Sequence, residues 1–307
     1  MRSNRYAVEG EIRGLTGAWQ AVKAQVTQTD YRHAELTAGA VSTLFKSQGQ
    51  DLRLQARHAP LNVQGLRLDG VLGVQLEDVN SSADGQEAFA PSSKTRQMAL
   101  FAHEELTPSW GRLSAGARVE SVSVTSLGGI NPNGFVVGER NFAPISTALG
   151  ALWKVSPPWS LTANLSWSAR APRDYELFAN GNHVATGAFE RGDAGLGLER
   201  ATTVDLGVNW QQGAHKAFLQ VYANQFSNYI SLEPANNVYQ YTQVPARFLG
   251  AEAQTQFRVI DAAQTLDLAL RVDAVRAENT QTGQPLPRIA PMRTGAELIW
   301  SAGPWQS

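Results

Sequence analysis

The fold is decided by the stretch Trp159-Ser160-Leu161-Thr162-Ala163-Asn164-Leu165-Ser166-Trp167-Ser168-Ala169-Arg170. Its twelve residues alternate without a break between apolar and polar side chains. Successive side chains of a β-strand point to opposite faces, so this strand has one apolar and one polar face. At about 3.3 Å per residue and a tilt of roughly 45°, it rises about 28 Å, close to the hydrocarbon thickness of a bilayer. The stretch therefore predicts a strand long enough to cross a membrane.

The same alternation recurs along the chain, for example at 66–77, 203–211 and 265–274. A strand of a soluble β-sandwich alternates as well, so the pattern alone does not separate a sandwich from a membrane barrel. Together with the turn residues, it predicts about thirteen strands. Their ranges are 4–14, 18–31, 42–58, 64–78, 94–107, 112–125, 143–155, 159–170, 200–211, 215–230, 240–258, 264–277 and 290–300.

The connections between these strands alternate in length. Short connections are at 15–17, 58–63, 108–111, 156–158, 212–214 and 261–263, and long ones at 32–41, 79–93, 126–142, 171–199, 231–239 and 278–289. An outer-membrane barrel has short turns at its periplasmic rim and long loops at the other. The amphipathic side chains of tryptophan and tyrosine are enriched at membrane interfaces. Seven tryptophans lie near the short turns: Trp19, Trp110, Trp153, Trp159, Trp210, Trp300 and Trp305. Both features favour a transmembrane barrel over a sandwich.

The composition excludes several other classes of protein. Lys and Arg number 26 against 27 Asp and Glu, giving a net charge of −1, so we expect no nucleic-acid partner. The chain has no cysteine, which excludes a disulfide framework and a thiolate metal site. Nowhere does the sequence contain a run of about 18 apolar residues, so it predicts no membrane-spanning helix.

Several short sequence motifs lie between the end of the opening stretch and the next predicted strand. Arg170-Ala171-Pro172 ends the strand, Glu176-Leu177-Phe178 and Phe189-Glu190-Arg191-Gly192 lie in the longest loop, and Leu198-Glu199 leads into the next strand. These motifs resemble the barrel signature of TonB-dependent outer-membrane receptors. Within that superfamily, the Asn-Gly-x-His-x-Ala-Thr stretch at 180–186 is most similar to the zinc-receptor branch.

The resemblance covers nearly the whole chain and implies an all-β fold, an antiparallel transmembrane β-barrel. Barrels of this family have about 22 strands, so residues 1–307 are expected to form one partial barrel domain. The resemblance also implies an N-terminal plug with a TonB box, on which the TonB complex acts, and we expect the plug and the last strands to lie outside this chain. It places the protein in the cell outer membrane, surrounded by lipid, as a receptor without enzymatic activity or a cofactor of its own.

Four residues are candidate ligands for a transported metal ion. Without thiols, zinc is bound by imidazole and carboxylate groups. The resemblance points to His183 in the 180–186 stretch and to Glu87, which precedes Ala-Phe-x-Pro, with Glu190, Asp193 or the plug completing the set. The alternative interpretation is that His183 and Glu87 only bond neighbouring loop backbone. His33 and Glu35 share one strand face, and we expect them to form a solvated pair at the rim.

Several functions compete. The leading one is TonB-dependent uptake of a metal, with zinc as the transported ligand. A siderophore or haem receptor of the same family is the alternative, because the long loops also hold Phe135, Arg140 and Tyr239. A passive porin also fits the alternation, but not the Glu-Leu-Phe motif. For an outer-membrane hydrolase, no spacing singles out a Ser/His pair.

Overall fold

A computed structural model shows one continuous β-sheet, and it describes residues 1–85, 88–130, 133–183 and 187–306. Within these residues there is one helix, α1 (Asp174–Phe178). No helix in this part of the chain is long and apolar enough to cross a membrane. The strands are β1 (Arg2–Arg13), β2 (Trp19–Thr37), β3 (Ala40–His58), β4 (Leu61–Val63), β5 (Leu66–Gly85), β6 (Ser92–Thr107), β7 (Gly111–Gly128), β8 (Gly138–Phe142), β9 (Ile145–Ser156), β10 (Trp159–Arg170), β11 (Asn180–His183), β12 (Ala188–Arg191), β13 (Glu199–Gln212), β14 (His215–Ala235), β15 (Val238–Asp261), β16 (Gln264–Asn279), β17 (Arg293–Ala302) and β18 (Trp305–Gln306).

The long strands pair antiparallel in chain order. Each long strand pairs with the next one in a series of thirteen, which makes the sheet an up-and-down meander. The series is β1, β2, β3, β5, β6, β7, β9, β10, β13, β14, β15, β16 and β17. These thirteen strands, each of ten residues or more, confirm the number predicted from alternation. Among the described residues, β1 and β17 are not paired with each other, so the sheet is a partial, open barrel.

The apolar side chains of the wall lie on its exposed face. Leu206 of β13 and Val221 of β14 are paired in register and are 52% and 45% exposed. The residues beside them, Asp205 and Gln220, point to the opposite, luminal face, where they form a hydrogen bond of 3.2 Å. A sandwich would bury the face that is exposed here. The arrangement is that of a barrel wall with an apolar exterior and a polar interior.

Tryptophans mark the short-turn end of the wall. Trp159 and Trp210 are paired across β10 and β13, with ring centroids 6.3 Å apart. Trp19, Trp110 and Trp153 are 39%, 41% and 52% exposed at neighbouring turns. Exposed indole rings at one rim are typical of a membrane interface, and this agrees with the position of the tryptophans near the short turns of the sequence.

Two of the predicted long loops, at 32–41 and 231–239, are paired strands in the structure. β2 and β3 remain paired as far as Thr37 and Ala40, and β14 and β15 as far as Ala235 and Val238. Each hairpin closes with two residues of positive φ, at 38–39 and 236–237, as tight two-residue turns require. The apolar residues at these strand ends, among them Leu36, Val41 and Leu232, are too few to form the long alternation by which a strand is recognised. The structure therefore has hairpins that extend past the apolar belt.

Candidate functional site at the outer mouth

The 171–199 connection folds over the concave side of the sheet, at the end opposite the tryptophans. Leu177 and Phe178 of α1 are 2% and 4% exposed and pack in one cluster with Val124 of β7 and Ile230 of β14. In the sheet, β9, β10 and β13 separate β7 from β14. The connection therefore packs against the concave side of the sheet from β7 to β14.

Arg170, the last residue of β10, holds both ends of this connection. Its guanidinium donates to Glu176 in α1 at 2.8 and 3.1 Å and to Glu199, the first residue of β13, at 2.7 and 3.0 Å. The two carboxylates are 8% and 10% exposed. Glu176 also accepts from the backbone N–H of Arg173 at 2.7 Å, and Glu199 from that of Ile230 at 2.8 Å. The Arg-x-Pro, Glu-Leu-Phe and Leu-Glu motifs thus meet in one charged cluster that fixes the loop.

Gly192 lets two parts of the loop approach each other. A Cβ atom at this position would lie 2.5 Å from the carbonyl carbon of Leu177 and from the backbone nitrogen of Phe178. The Gly192 N–H donates to the carbonyl of Ala179 at 2.7 Å, and the N–H of Asp193 donates to that of Glu176 at 2.9 Å. The glycine of the Phe-Glu-x-Gly motif is therefore required by backbone contact with α1.

His183 and Glu190 face each other in the β11–β12 hairpin. His183 Nδ1 is 2.9 Å from Glu190 Oε1, and the Glu190 side chain is 2% exposed. Tyr241 of β15 donates its hydroxyl to Glu190 Oε2 at 3.0 Å. Burial and the Glu190 carboxylate raise the pKa of Tyr241 far above its usual value, so this tyrosine stays a neutral donor. The hairpin is thus attached to the β15 wall through a buried carboxylate.

A ladder of aromatic rings, in which two pairs are stacked and two are tilted, attaches the same hairpin to the opposite wall. The His183 ring stacks on Phe89 at 4.1 Å and 10°. Phe89 lies 6.0 Å from Phe45 of β3, which in turn stacks on His33 of β2 at 4.6 Å and 4°, and Tyr31 follows at 5.4 Å. The N–H of Asn180 also donates to the carbonyl of Phe89 at 2.8 Å. This aromatic ladder (Tyr31, His33, Phe45, Phe89 and His183) runs from the β2–β3 wall to the hairpin.

Of the four candidate ligands, the structure brings His183 and Glu190 together. The Asp193 carboxylate instead accepts from the N–H of Gly195 at 2.7 Å and stabilises a turn. Glu87 lies outside the described residues. Among the described residues, no group of three His, Asp or Glu side chains is placed to hold a metal ion together. The metal site of four residues stays a prediction. Of its candidate ligands, His183 and Glu190 are in contact with each other.

The sequence missed most of the residues that build this site. His33 is not in a solvated pair, because its ring stacks on Phe45 and its Nδ1 atom is buried with no hydrogen-bond partner in the described part of the chain. Tyr241 carried no signal, and Phe89 was recognised only as part of the Ala-Phe-x-Pro stretch, since neither has a fixed spacing to His183. Glu176 and Glu199 were recognised only as parts of motifs, and their joint contact with Arg170 depends on the folded loop.

Comparison with known proteins agrees with this architecture. Residues 2–307 match the family described as TonB dependent receptor-like, beta-barrel. The chain belongs to this family. Members of the TonB-dependent receptor family are receptors and transporters, not enzymes.

Solved structures show the same fold at low sequence identity. The copper transporter OprC matches with a TM-score of 0.77 and 15% identity over 99% of this chain and 50% of its own. The Serratia marcescens hemophore receptor HasR, solved with its hemophore HasA and haem, matches with a TM-score of 0.76 and 15% identity over 98% of this chain and 56% of its own. The ferric citrate transporter FecA matches with a TM-score of 0.72 and 16% identity over 99% of this chain and 48% of its own. The chain spans about half the length of these proteins.

Proposed function

We propose that this chain is part of the barrel wall and outer mouth of a TonB-dependent receptor in the outer membrane, which captures a metal ion for uptake, with zinc as the leading substrate. Family membership and the exposed apolar belt support the membrane placement. The observation that carries the metal proposal is the pairing of His183 with the buried carboxylate of Glu190 at the mouth.

The geometry of this pair suits a metal-binding imidazole. When Nδ1–H of His183 donates to Glu190, the ring nitrogen lone pair is on Nε2, the atom that would bind the ion. A carboxylate behind a ligating histidine fixes its tautomer and raises its basicity, which is typical of zinc sites. In this proposal Glu190 orients His183, and the further ligands come from Glu87, from Asp193 or from parts of the receptor beyond this chain.

A metal chelate with aromatic or planar groups, such as a siderophore or haem, is the second candidate. The aromatic ladder favours it, because five aromatic side chains in succession give this site an apolar, polarisable lining that such a ligand would contact. The related structures give no preference, since they include a copper transporter, a haem-hemophore receptor and a ferric citrate transporter.

Calorimetry on the full-length receptor in detergent tests the two candidates. Titrations with Zn²⁺, Cu²⁺, haem and ferric enterobactin are compared in the wild type, His183→Ala, Glu190→Gln and Phe45→Ala. For direct ion capture we expect Zn²⁺ binding that weakens at least tenfold in the first two variants and is unchanged in Phe45→Ala. For a chelate we expect the Phe45 variant to lose affinity for haem or the siderophore.

His103→Ala is the matched control, because His103 lies on β6 near the short-turn end of the wall. It should leave all affinities unchanged. Equal Zn²⁺ affinity in the wild type and in His183→Ala would remove His183 from the site. Absence of Zn²⁺ and Cu²⁺ binding together with tight chelate binding would replace the ion by the chelate.

A further inference from the structure

The sequence contains two Asn-Gly dipeptides, and the fold brings them together at the outer mouth. Asn133-Gly134 lies in the connection between β7 and β8, and Asn180-Gly181 begins β11. The side-chain amide of Asn180 donates to the carbonyl oxygens of Asn133 and Gly134, at 3.1 and 2.8 Å. These two hydrogen bonds join the β7–β8 connection to the hairpin that carries His183.

An asparagine that is followed by glycine is chemically labile. The backbone nitrogen of the glycine attacks the side-chain carbonyl carbon of the asparagine, because glycine has no Cβ atom to obstruct the approach. A bond forms between this nitrogen and this carbon, the bond from the carbon to the amide nitrogen breaks, and ammonia leaves. Water then opens the resulting succinimide ring. The net change replaces an amide by a carboxylate, and opening at the main-chain carbonyl carbon gives isoaspartate, whose main chain is longer by one carbon.

This reaction needs room for a five-membered ring, and Asn133-Gly134 has that room. Both residues are exposed. Gly134 has a φ of +70°, and a Cβ atom placed on it would meet no other atom within 4 Å. The dipeptide therefore has the setting in which chemical and proteolytic attack on a folded chain is concentrated.

The same fold protects the second dipeptide. Gly181 is buried and is paired with Glu190 in the β11–β12 ladder. The N–H of Asn180 donates to the carbonyl of Phe89 at 2.8 Å, and the Asn180 amide makes the two bonds to the β7–β8 connection. A ring can close here only after the hairpin has opened locally, so the free energy of that opening slows the reaction.

We propose that Asn133 is a site of spontaneous deamidation, and that its conversion to isoaspartate releases the β7–β8 connection from the β11–β12 hairpin. In this product, the main-chain carbonyl that accepted from Asn180 has become a carboxylate outside the main chain. The added main-chain carbon also displaces the carbonyl of Gly134. The two acceptors then no longer have the spacing that the Asn180 amide requires. The inference does not depend on the metal proposal.

Peptide mapping by mass spectrometry tests the proposal on the full-length receptor, aged in detergent at alkaline pH. The two dipeptides lie in different tryptic peptides, 119–140 and 174–191. In the folded receptor, we expect Asn133 to deamidate at least about tenfold faster than Asn180. In receptor that is unfolded in urea before ageing, the two rates should agree within about threefold, because local structure no longer protects either dipeptide. Peptide fragmentation assigns the change, and Asn131 cannot react in this way because Pro132 has no N–H.

Asn133→Ser is the matched variant, because it removes the reactive amide but keeps the main-chain carbonyls that accept from Asn180. It should show no deamidation at position 133. Amide hydrogen exchange in peptide 174–191 should become faster as the wild type ages and should stay constant in Asn133→Ser. Equal rates at Asn133 and Asn180 in the folded receptor, no deamidation at Asn133, or unchanged hydrogen exchange after deamidation would each overturn the proposal.

Discussion

Arg170 and Glu199 are partners in the pairing of β10 with β13, and two hydrogen bonds of 2.7 and 3.0 Å join their side chains. The same guanidinium binds Glu176 of α1. Arg170→Ala would leave two nearly buried carboxylates without a cation. Breaking a buried pair costs roughly 3–5 kcal/mol, but Arg170 is 38% exposed, so we expect a loss of about 2 kcal/mol in unfolding free energy, measured by urea titration of tryptophan fluorescence in detergent.

Arg200→Ala is the control for this change. Arg200 is the next residue after Glu199 and is exposed, so its removal should alter the unfolding free energy by less than about 0.5 kcal/mol. If Arg170→Ala were no more destabilising than Arg200→Ala, the charged cluster would not be what holds the loop.

Gly192→Ala tests the close contact between the loop and α1. The added methyl group would meet the backbone of Leu177 and Phe178, which no side-chain rotation relieves. We expect a loss of about 1–3 kcal/mol and faster cleavage of the 171–199 connection by trypsin. Gly138→Ala, where a Cβ meets no atom within 4 Å, is the control and should match the wild type. Equal trypsin cleavage in both variants would contradict the contact.

The sequence predicted the wall of this protein well. Alternation is enforced wherever one face meets lipid and the other water, so strands such as β10 were found with their bounds unchanged at Trp159 and Arg170. Where the strands leave the belt, at 32–41 and 231–239, that constraint disappears and the pairing was missed.

The site was predicted less completely, because its contacts join distant segments. His183 and Glu190 were found since both lie in the resembling loop, and they are only seven residues apart. Tyr241 reaches Glu190 across 51 residues, and no periodicity links the two. Phe89 is likewise placed against His183 by the folding of two loops, which sequence patterns within one strand do not encode.

Val221→Arg tests whether the exposed apolar face meets lipid. In a water-soluble protein, arginine at a residue that is 45% exposed would change stability little. In a bilayer, arginine near the middle of the wall costs about 2–4 kcal/mol. We therefore expect a loss of that size when the full-length receptor is unfolded from phospholipid vesicles.

Gln220→Arg is the control for Val221→Arg, since it introduces the same charge one residue earlier on the luminal face. Gln220 already donates to Asp205 at 3.2 Å, so an arginine there gains a carboxylate partner and should leave stability nearly unchanged. Equal effects of the two substitutions would show that the two faces do not differ in their surroundings, and the membrane placement would fail.

Alkaline pH should weaken the attachment of the β11–β12 hairpin, because the pKa of Tyr241 is raised by burial and by Glu190. Above the usual tyrosine pKa of about 10, the unfolded chain loses this proton while the folded protein keeps it, so stability falls as pH rises. Tyr241→Phe lacks the hydrogen bond to Glu190 and should be about 1.5 kcal/mol less stable at neutral pH. The difference from the wild type should shrink between about pH 8 and about pH 11. Tyr6→Phe, at a tyrosine that is 65% exposed, should show no such trend. A difference between wild type and Tyr241→Phe that stays constant with pH would mean that Tyr241 ionises as readily in the folded receptor as in the unfolded chain.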